Sequence, residues 1–406
     1  MSTLADRKST FIPHFSVGPS PGINGPNFPV IQTFDTTNLE PGIYEARISR
    51  DAMRPENVYS VWNGYASDNS LARFVVTPVV PGASSRVLWL HDSLTGTCYG
   101  SYGANSIYGP DDIRCHTVSY HRPGLDRATT SFGALRFFRQ SGHEFEFIDL
   151  VALTEAPAGY LSNYDLVVMI GQFEYIPHAV RVQLRDFLDY GGNLFSAAWE
   201  FSAFSVRLDL DRKQLTTYKY EFEEKDPLFG TGDPTVAGVT MNVPGALRET
   251  EIIGQTIWAA HQVTGGDWID FPLYNTDRVS DLLEGTGLGA GSYLPGAFRN
   301  YASGNRVEFN GNDPVVVDPG LSGTMEEIVV WGAVPSANGR AWWQADGDSI
   351  SAWPLLTDGH AVATLQERVS GARVVTLPAS AIALRHLSDP TYQQLLLNIL
   401  YALGGS

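Results

Sequence analysis

Three short stretches of this chain hold side chains suited to chemistry. In the first, the apolar run Val87-Leu88-Trp89-Leu90 empties into a loop crowded with Gly, Ser and the phenols of Tyr99, Tyr102 and Tyr108. A second run, His116 to Tyr120, then ends at His121-Arg122-Pro123. Phenol oxygens are hard anionic ligands once ionised, and a bound ferric ion lowers their pKa enough to ionise them at neutral pH. The same residues also read as ordinary half-buried aromatics, because tyrosine is a rarer metal ligand than His, Cys or carboxylate. In the second stretch, Gly171-Gln172-Phe173-Glu174-Tyr175 follows the apolar run 165–170. An acid there can ligate a metal or act as a base, or it can serve the N-terminus of a helix beginning near His178. The third, Ala197-Ala198-Trp199-Glu200, repeats the pattern of an acid just past an apolar run. Glu284, on the Gly-rich turn 283–288, reads on its own as a surface acid.

The elements that would position these groups follow from hydrophobic period. Val87–His91, His116–Tyr120, Phe145–Leu150, Asp165–Gly171 and Leu194–Ala198 read as strands. Ser131–Phe138 and Val180–Tyr190 read as helices, the latter stopping at Gly191-Gly192. Buried strands alternating with helices predict an α/β core over 85–204 with a parallel sheet of flavodoxin-like type. In such a sheet, ligands lie beyond the carboxyl ends of the strands, where Tyr99, Glu174 and Glu200 would meet.

Residues 1–84, with short alternating runs and breaks at Pro78 and Pro81, read as an N-terminal β unit. Residues 205–298 show no clean period and read as an insertion capping the sheet. Residues 299–406 read as a β segment followed by a helix, Pro390–Leu403. The strand before that helix, Val374–Leu377, is expected to return to the core sheet.

Composition narrows the function. The chain has 406 residues with 27 basic against 44 acidic side chains, a net charge of −17, and 43% hydrophobic content. Nucleic acid and anionic membranes need clustered Lys and Arg, so both are disfavoured as partners. A small-molecule substrate is the expectation, and sheet edges and aromatic patches leave room for a homo-oligomer. The two cysteines, Cys98 and Cys115, are expected to be reduced thiols. No window carries the ~18 apolar residues of a membrane span. The amino terminus lacks the apolar core of a secretion signal, so cytoplasmic residence is expected. No dinucleotide fingerprint, phosphate-binding loop or Gly-x-Ser-x-Gly elbow occurs.

Taken in order, several motifs resemble the catalytic domain of the N,N-dimethylformamidase large (beta) subunit family. They are Thr95…Cys98-Tyr99…Tyr102-Gly103…Ser106-Ile107-Tyr108, Val118–Pro123, Asn163–Val168 leading into Phe173-Glu174-Tyr175, Gly191–Leu194, and Leu283-Glu284-Gly285-Thr286-Gly287-Leu288. The resemblance runs from about Gly42 to the carboxyl end. It implies a class I glutamine-amidotransferase-like α/β fold that hydrolyses an amide C–N bond. It also implies a mononuclear non-haem iron, ferric, held by two tyrosines and a glutamate. Carried over by position, the ligands would be Tyr99, Tyr108 (with Tyr120 as the fallback) and Glu174. Glu284 would match an acid of the family's pocket, and Glu284 or Glu200 would move the proton.

Two positions depart from the family pattern. Gln172 stands where the family has His, and Ala198-Trp199-Glu200 stands where it has Gly-Gly-Asn. The second change places a carboxylate where an amide is expected, which favours a cationic over an anionic substrate or adds a ligand. Two alternatives are retained: the same fold and metal used on another small metabolite, and a metal-free binding protein.

Overall fold

The computed structural model describes residues 2–3, 39–46, 72–100, 107–108, 114–120, 129–238, 250–253, 257–261, 268–299, 307–310, 325–335, 359–378, 382 and 386–405. A small antiparallel sheet comes first in the chain: β1 (Gly42–Ala46) pairs with β2 (Ala72–Val76) and, on its other side, with the two-residue strand Ser2–Thr3. The core follows as β3 (Val87–His91), α1 (Leu94–Tyr99), β4 (Thr117–Ser119), α2 (Thr129–Gln140), β5 (Glu146–Asp149), α3 (Leu150–Glu155) and β6 (Leu166–Gln172). It continues through β7 (Tyr175–Pro177), α4 (His178–Asp189), β8 (Asn193–Trp199), β9 (Phe204–Asp209) and β10 (Gln214–Thr216). Later elements used below are α5 (Ser280–Leu283), β11 (Met325–Pro335), β12 (Gly359–Arg368), β13 (Arg373–Thr376) and α6 (Pro390–Ala402).

Seven strands form the main sheet in the order β11-β12-β13-β8-β6-β3-β5. The strands β5, β3, β6, β8 and β13 run parallel, and β12 and β11 add an antiparallel edge. β13 pairs with β8 through Val374–Leu194, so the C-terminal strand does return to the core. The chain is thus a mixed α/β protein whose main sheet is largely parallel.

Every residue of β6, LVVMIGQ, is buried, as a central strand covered on both faces requires. Period-two alternation sorts its side chains. Val168 and Ile170 join Trp89, Phe138, Leu395 and Ile399 on one face, while Val167 and Met169 join Leu88, Leu153 and Leu184 on the other. Each such fully buried aliphatic side chain contributes roughly 1.5–3 kcal/mol.

Helix α4 buries Val180, Arg181, Leu184, Phe187 and Leu188, one stripe at helical spacing, on the second face. It stops at Gly191, whose φ of 91° suits the left-handed turn after a helix. Gly192 follows under the Phe187 ring, where a Cβ would sit 2.0 Å from a ring carbon. Helix α6 begins with Pro390 after Asp389, whose side chain accepts from Thr391 N.

Two expectations are corrected. The run His116–Tyr120 does form a strand, β4, but not in the main sheet. Only three residues long, two of them polar, it pairs with β10 in a second sheet of order β4-β10-β9-β7. The segment after β3 is also not wholly a loop. Asp92 Oδ1 accepts from Leu94 N (2.7 Å) and Thr95 N (3.0 Å), and this starts the short helix α1. Neither Cys98 nor Cys115 is in a disulfide. Among the described residues no helix is long and apolar enough to cross a membrane.

Candidate active site

The main sheet and the second sheet meet just past the carboxyl end of β6. Gly171 takes φ 127°, a conformation other residues rarely adopt, and after it the chain passes through Gln172 and Phe173 to Glu174. Glu174 precedes β7 of the second sheet and is 3% exposed. The backbone N–H groups of Glu174 and Tyr175 both donate to Thr95 Oγ1 on α1, at 3.1 and 3.3 Å. Helix α1 ends on Tyr99, so it carries a phenol toward the same place.

Five of the six side chains singled out from the sequence converge here. The Tyr99 and Tyr108 rings stack at 4.3 Å. The Tyr108 hydroxyl donates to Glu174 Oε1 at 2.8 Å and lies 2.6 Å from the Tyr175 hydroxyl. Tyr99 hydrogen-bonds with both Tyr108 and Glu174. Gln172 Nε2 bridges two carboxylates, donating to Glu174 Oε2 at 3.3 Å and to Glu200 Oε2 at 2.6 Å. Glu200 reaches this point because the register pairs Gln172 with Trp199, one residue before it.

The sixth, Glu284, is placed elsewhere. Its side chain is exposed at the end of α5, and its carbonyl accepts from Asn398 Nδ2 of α6 at 2.6 Å. Leu282 and Leu283 of α5 pack into the first face of the sheet, whereas Tyr99 and Tyr108 pack against the second. The turn that follows α5 holds Gly285 and Gly287, both with positive φ. Tyr120 is also apart, for the carboxylates acting on it are Glu155, Asp149 and Asp209. His91 stacks on Phe132. Tyr102, His121 and Arg122 lie outside the described residues.

Two members of the cluster were not anticipated. Tyr175 sits beside Glu174 in sequence, and its ring stacks on Phe204. Lys219 comes from the turn after β10, is 7% exposed, and holds Nζ 3.4 Å from the Tyr108 ring centroid. Nothing in the aperiodic segment around Lys219 signals this. The adjacency of Tyr175 to Glu174 was the available clue for the other.

Both Glu200 (φ 49°) and Lys219 (φ 51°) hold left-handed backbone. For residues with a Cβ this costs roughly 1–2 kcal/mol. Strain of this kind concentrates at functional sites, where the surroundings over-determine it.

The electrostatics are those of a buried oxygen cluster. Burial pushes Glu174 up, and hydrogen bonds from Tyr99 and Tyr108 and the charge of Lys219 pull it partly back. Burial also pushes Tyr99, Tyr108 and Tyr175 above the ordinary phenol value. Nearby carboxylate charge adds to this, from Glu200 and Glu174 for Tyr99 and from Glu174 for the other two. Lys219 is pushed down to about 8 by burial, against the pull of Glu174 and Glu200. The cluster thus brings together three phenols, two carboxylates and one amine, with the Tyr108 hydroxyl donating to Glu174. Among the described residues no three His, Cys, Asp or Glu side chains gather as a metal-holding group. The donors available here are mainly phenolic.

A profile described as "N,N-dimethylformamidase beta subunit-like, C-terminal" matches residues 17–314, well over half of the chain. The chain belongs to that family. The match covers the whole oxygen cluster and stops before β11, β12 and β13 of the main sheet and before α6. No curated protein matches the chain. Among solved structures, a beta-galactosidase from Rahnella sp. R3 is similar at 13% identity and a TM-score of 0.38 over 79% of this chain. The alignment spans 31% of that protein's length, and a likeness this distant carries no functional argument.

Proposed function

We propose that the chain is an iron-dependent amidohydrolase that cleaves the C–N bond of a small amide. The observation that carries this reading is the meeting of Tyr99, Tyr108 and Glu174 at hydrogen-bond distance in a chain of this family. Two phenols and a carboxylate are a hard, all-oxygen donor set of the kind that suits a small, highly charged cation. Burial leaves protons on both phenols that such a cation would displace. Tyr99, Tyr108 and Glu174 would hold it. When bound, a ferric ion supplies Lewis acidity toward an amide carbonyl and lowers the pKa of a water.

The chain's own residues do the rest. Glu200, partly exposed and held by the Gln172 amide at 2.6 Å, is the group placed to take and return a proton. Gln172 donates to both Glu200 and Glu174, which also share a hydrogen bond with each other, and it cannot itself titrate. Lys219 offsets part of their negative charge. With Glu200 in the pocket, neutral or cationic amides are favoured over anionic ones.

The fold supports the same reading. Numbered along the chain, the parallel strands lie in the order 2-1-3-4-5, the order of flavodoxin-like sheets. The cluster stands at the carboxyl ends of β3 and β6, where that order reverses and where such sheets bind ligands.

The test is metal analysis of protein purified without chelators, together with amine release from a panel of formamides and carboxamides. Bound iron, a visible tyrosinate band lost in Tyr99→Phe, and metal lost in Glu174→Ala are expected. Protein without iron, or iron-loaded protein that releases no amine, would overturn the assignment.

A further inference from the structure

The Thr95 hydroxyl lies where three segments join, and it is 1% exposed. A hydroxyl offers two acceptor positions and one proton. Both acceptor positions are taken by consecutive amides, Glu174 N at 3.1 Å and Tyr175 N at 3.3 Å. The acid nearest this hydroxyl in sequence is Asp92, three residues before it. Burial pushes that carboxyl up to about 7, and a side-chain hydrogen bond with Thr95 opposes the rise. Asp92 in turn fixes the first turn of α1 through Leu94 N and Thr95 N.

Thr95 and Tyr99 are four residues apart and so share one face of α1. A single hydroxyl therefore ties the helix that carries Tyr99 to the link that carries Glu174 and Tyr175. These are two chain segments brought together from 79 positions apart.

Resting on the reading of Tyr99, Tyr108 and Glu174 as the working site, we propose that Thr95 is a positioning residue. Its hydroxyl sets the bend between β6 and β7, so that the Glu174 carboxylate and the Tyr175 phenol both reach Tyr108. The methyl group alone would not do this, since valine in the same place leaves two buried N–H groups without an acceptor.

The experiment compares the full chain with Thr95→Val and Thr95→Ser. Crystal structures would give the Tyr108 Oη to Glu174 Oε1 separation, and ferric ion alone would be titrated with the visible tyrosinate band as readout. Thr95→Val is expected to keep its cooperative melt, lose the 2.8 Å contact seen in the parent chain, and bind ferric ion about tenfold or more weakly. Thr95→Ser is expected to retain both contact and affinity. Retention of the contact in Thr95→Val would overturn the proposal. If Thr95→Val does not fold, Thr95→Ser decides alone, because losing the contact while keeping a hydroxyl contradicts it. Should the parent chain bind no ferric ion, the metal reading fails while the contact comparison still judges Thr95.

Discussion

Tyr108 and Glu174 are 66 positions apart, yet the phenol donates to the carboxylate over 2.8 Å. The same phenol oxygen meets Tyr175 at 2.6 Å. With this bond made, a carboxylate that burial would otherwise leave costly is partly satisfied, and two sheets are joined where the chain crosses between them.

Replacing Tyr108 by Phe isolates that bond. The ring still stacks on Tyr99 and still lies under Lys219, so packing is kept and only the hydroxyl is lost. Glu174 then loses one of the hydrogen bonds holding its pKa down. Chemical denaturation should show a loss of about 1–3 kcal/mol. Amide hydrolysis should fall by about 10–100-fold or more. Unchanged stability and turnover would mean that the bond has no part in the site.

Glu200 gives a test of strain. At φ 49° it occupies backbone that glycine adopts freely. Both Glu200→Ala and Glu200→Gly remove the carboxylate, but only glycine relieves the backbone. Glu200→Gly should therefore be more stable than Glu200→Ala by about 1 kcal/mol, read as a higher midpoint in parallel denaturant melts. Both variants should lose activity. A glycine variant no more stable than the alanine one would show that the backbone here stores no strain.

The parts of this architecture that repeat were legible in the sequence. β6 is apolar throughout because both its faces are covered, and α4 and α6 show one apolar stripe each. The acids at 174 and 200 could be placed at strand ends because in a parallel sheet those ends share an edge. Of the second sheet, the strand within 116–120 was legible, but its pairing was not. Tyr175–Pro177 and Gln214–Thr216 are three residues each, too short to show a period, and the pairings join distant segments. Lys219 was missed for the same reason, since the turn that delivers it is defined only by that pairing. Glu284 was carried over from a motif whose local sequence fits, but which side of the sheet α5 covers is a tertiary fact.

Gln172 donates to two carboxyl groups that also hydrogen-bond each other, so a charge introduced at position 172 would bear on both. In Gln172→Glu a third carboxylate would adjoin Glu174 and Glu200, and like charges raise its folded pKa. A raised acid contributes stability at low pH that is lost as pH climbs from the unfolded glutamate value to the folded one. The variant should therefore lie close to the parent chain near pH 4 and fall behind it increasingly toward pH 8. Gln172→Leu loses donors without adding charge and serves as the reference. Urea midpoints across that range would check this, and a gap between the Glu and Leu variants that does not widen with pH would contradict it.

His178, at the start of α4, is pushed down to about 4, mainly by burial and then by the nearby Arg181 and Arg185 charges. The unfolded chain holds an ordinary histidine near 6.5, so between these values the unfolded state binds more protons than the folded one. Stability is then complete above about pH 6.5 and is lost as pH falls toward 4. His178 remains partly exposed, and after allowance for solvent screening the effect is about 1–2 kcal/mol. His178→Gln removes the titration, so its melting temperature should fall less than that of the parent chain between pH 7 and pH 4.5. If the two chains lose stability in parallel over that interval, the imidazole is not held neutral by its surroundings and the packing of α4 against β9 is looser than the buried Arg181–Ser205 hydrogen bond indicates.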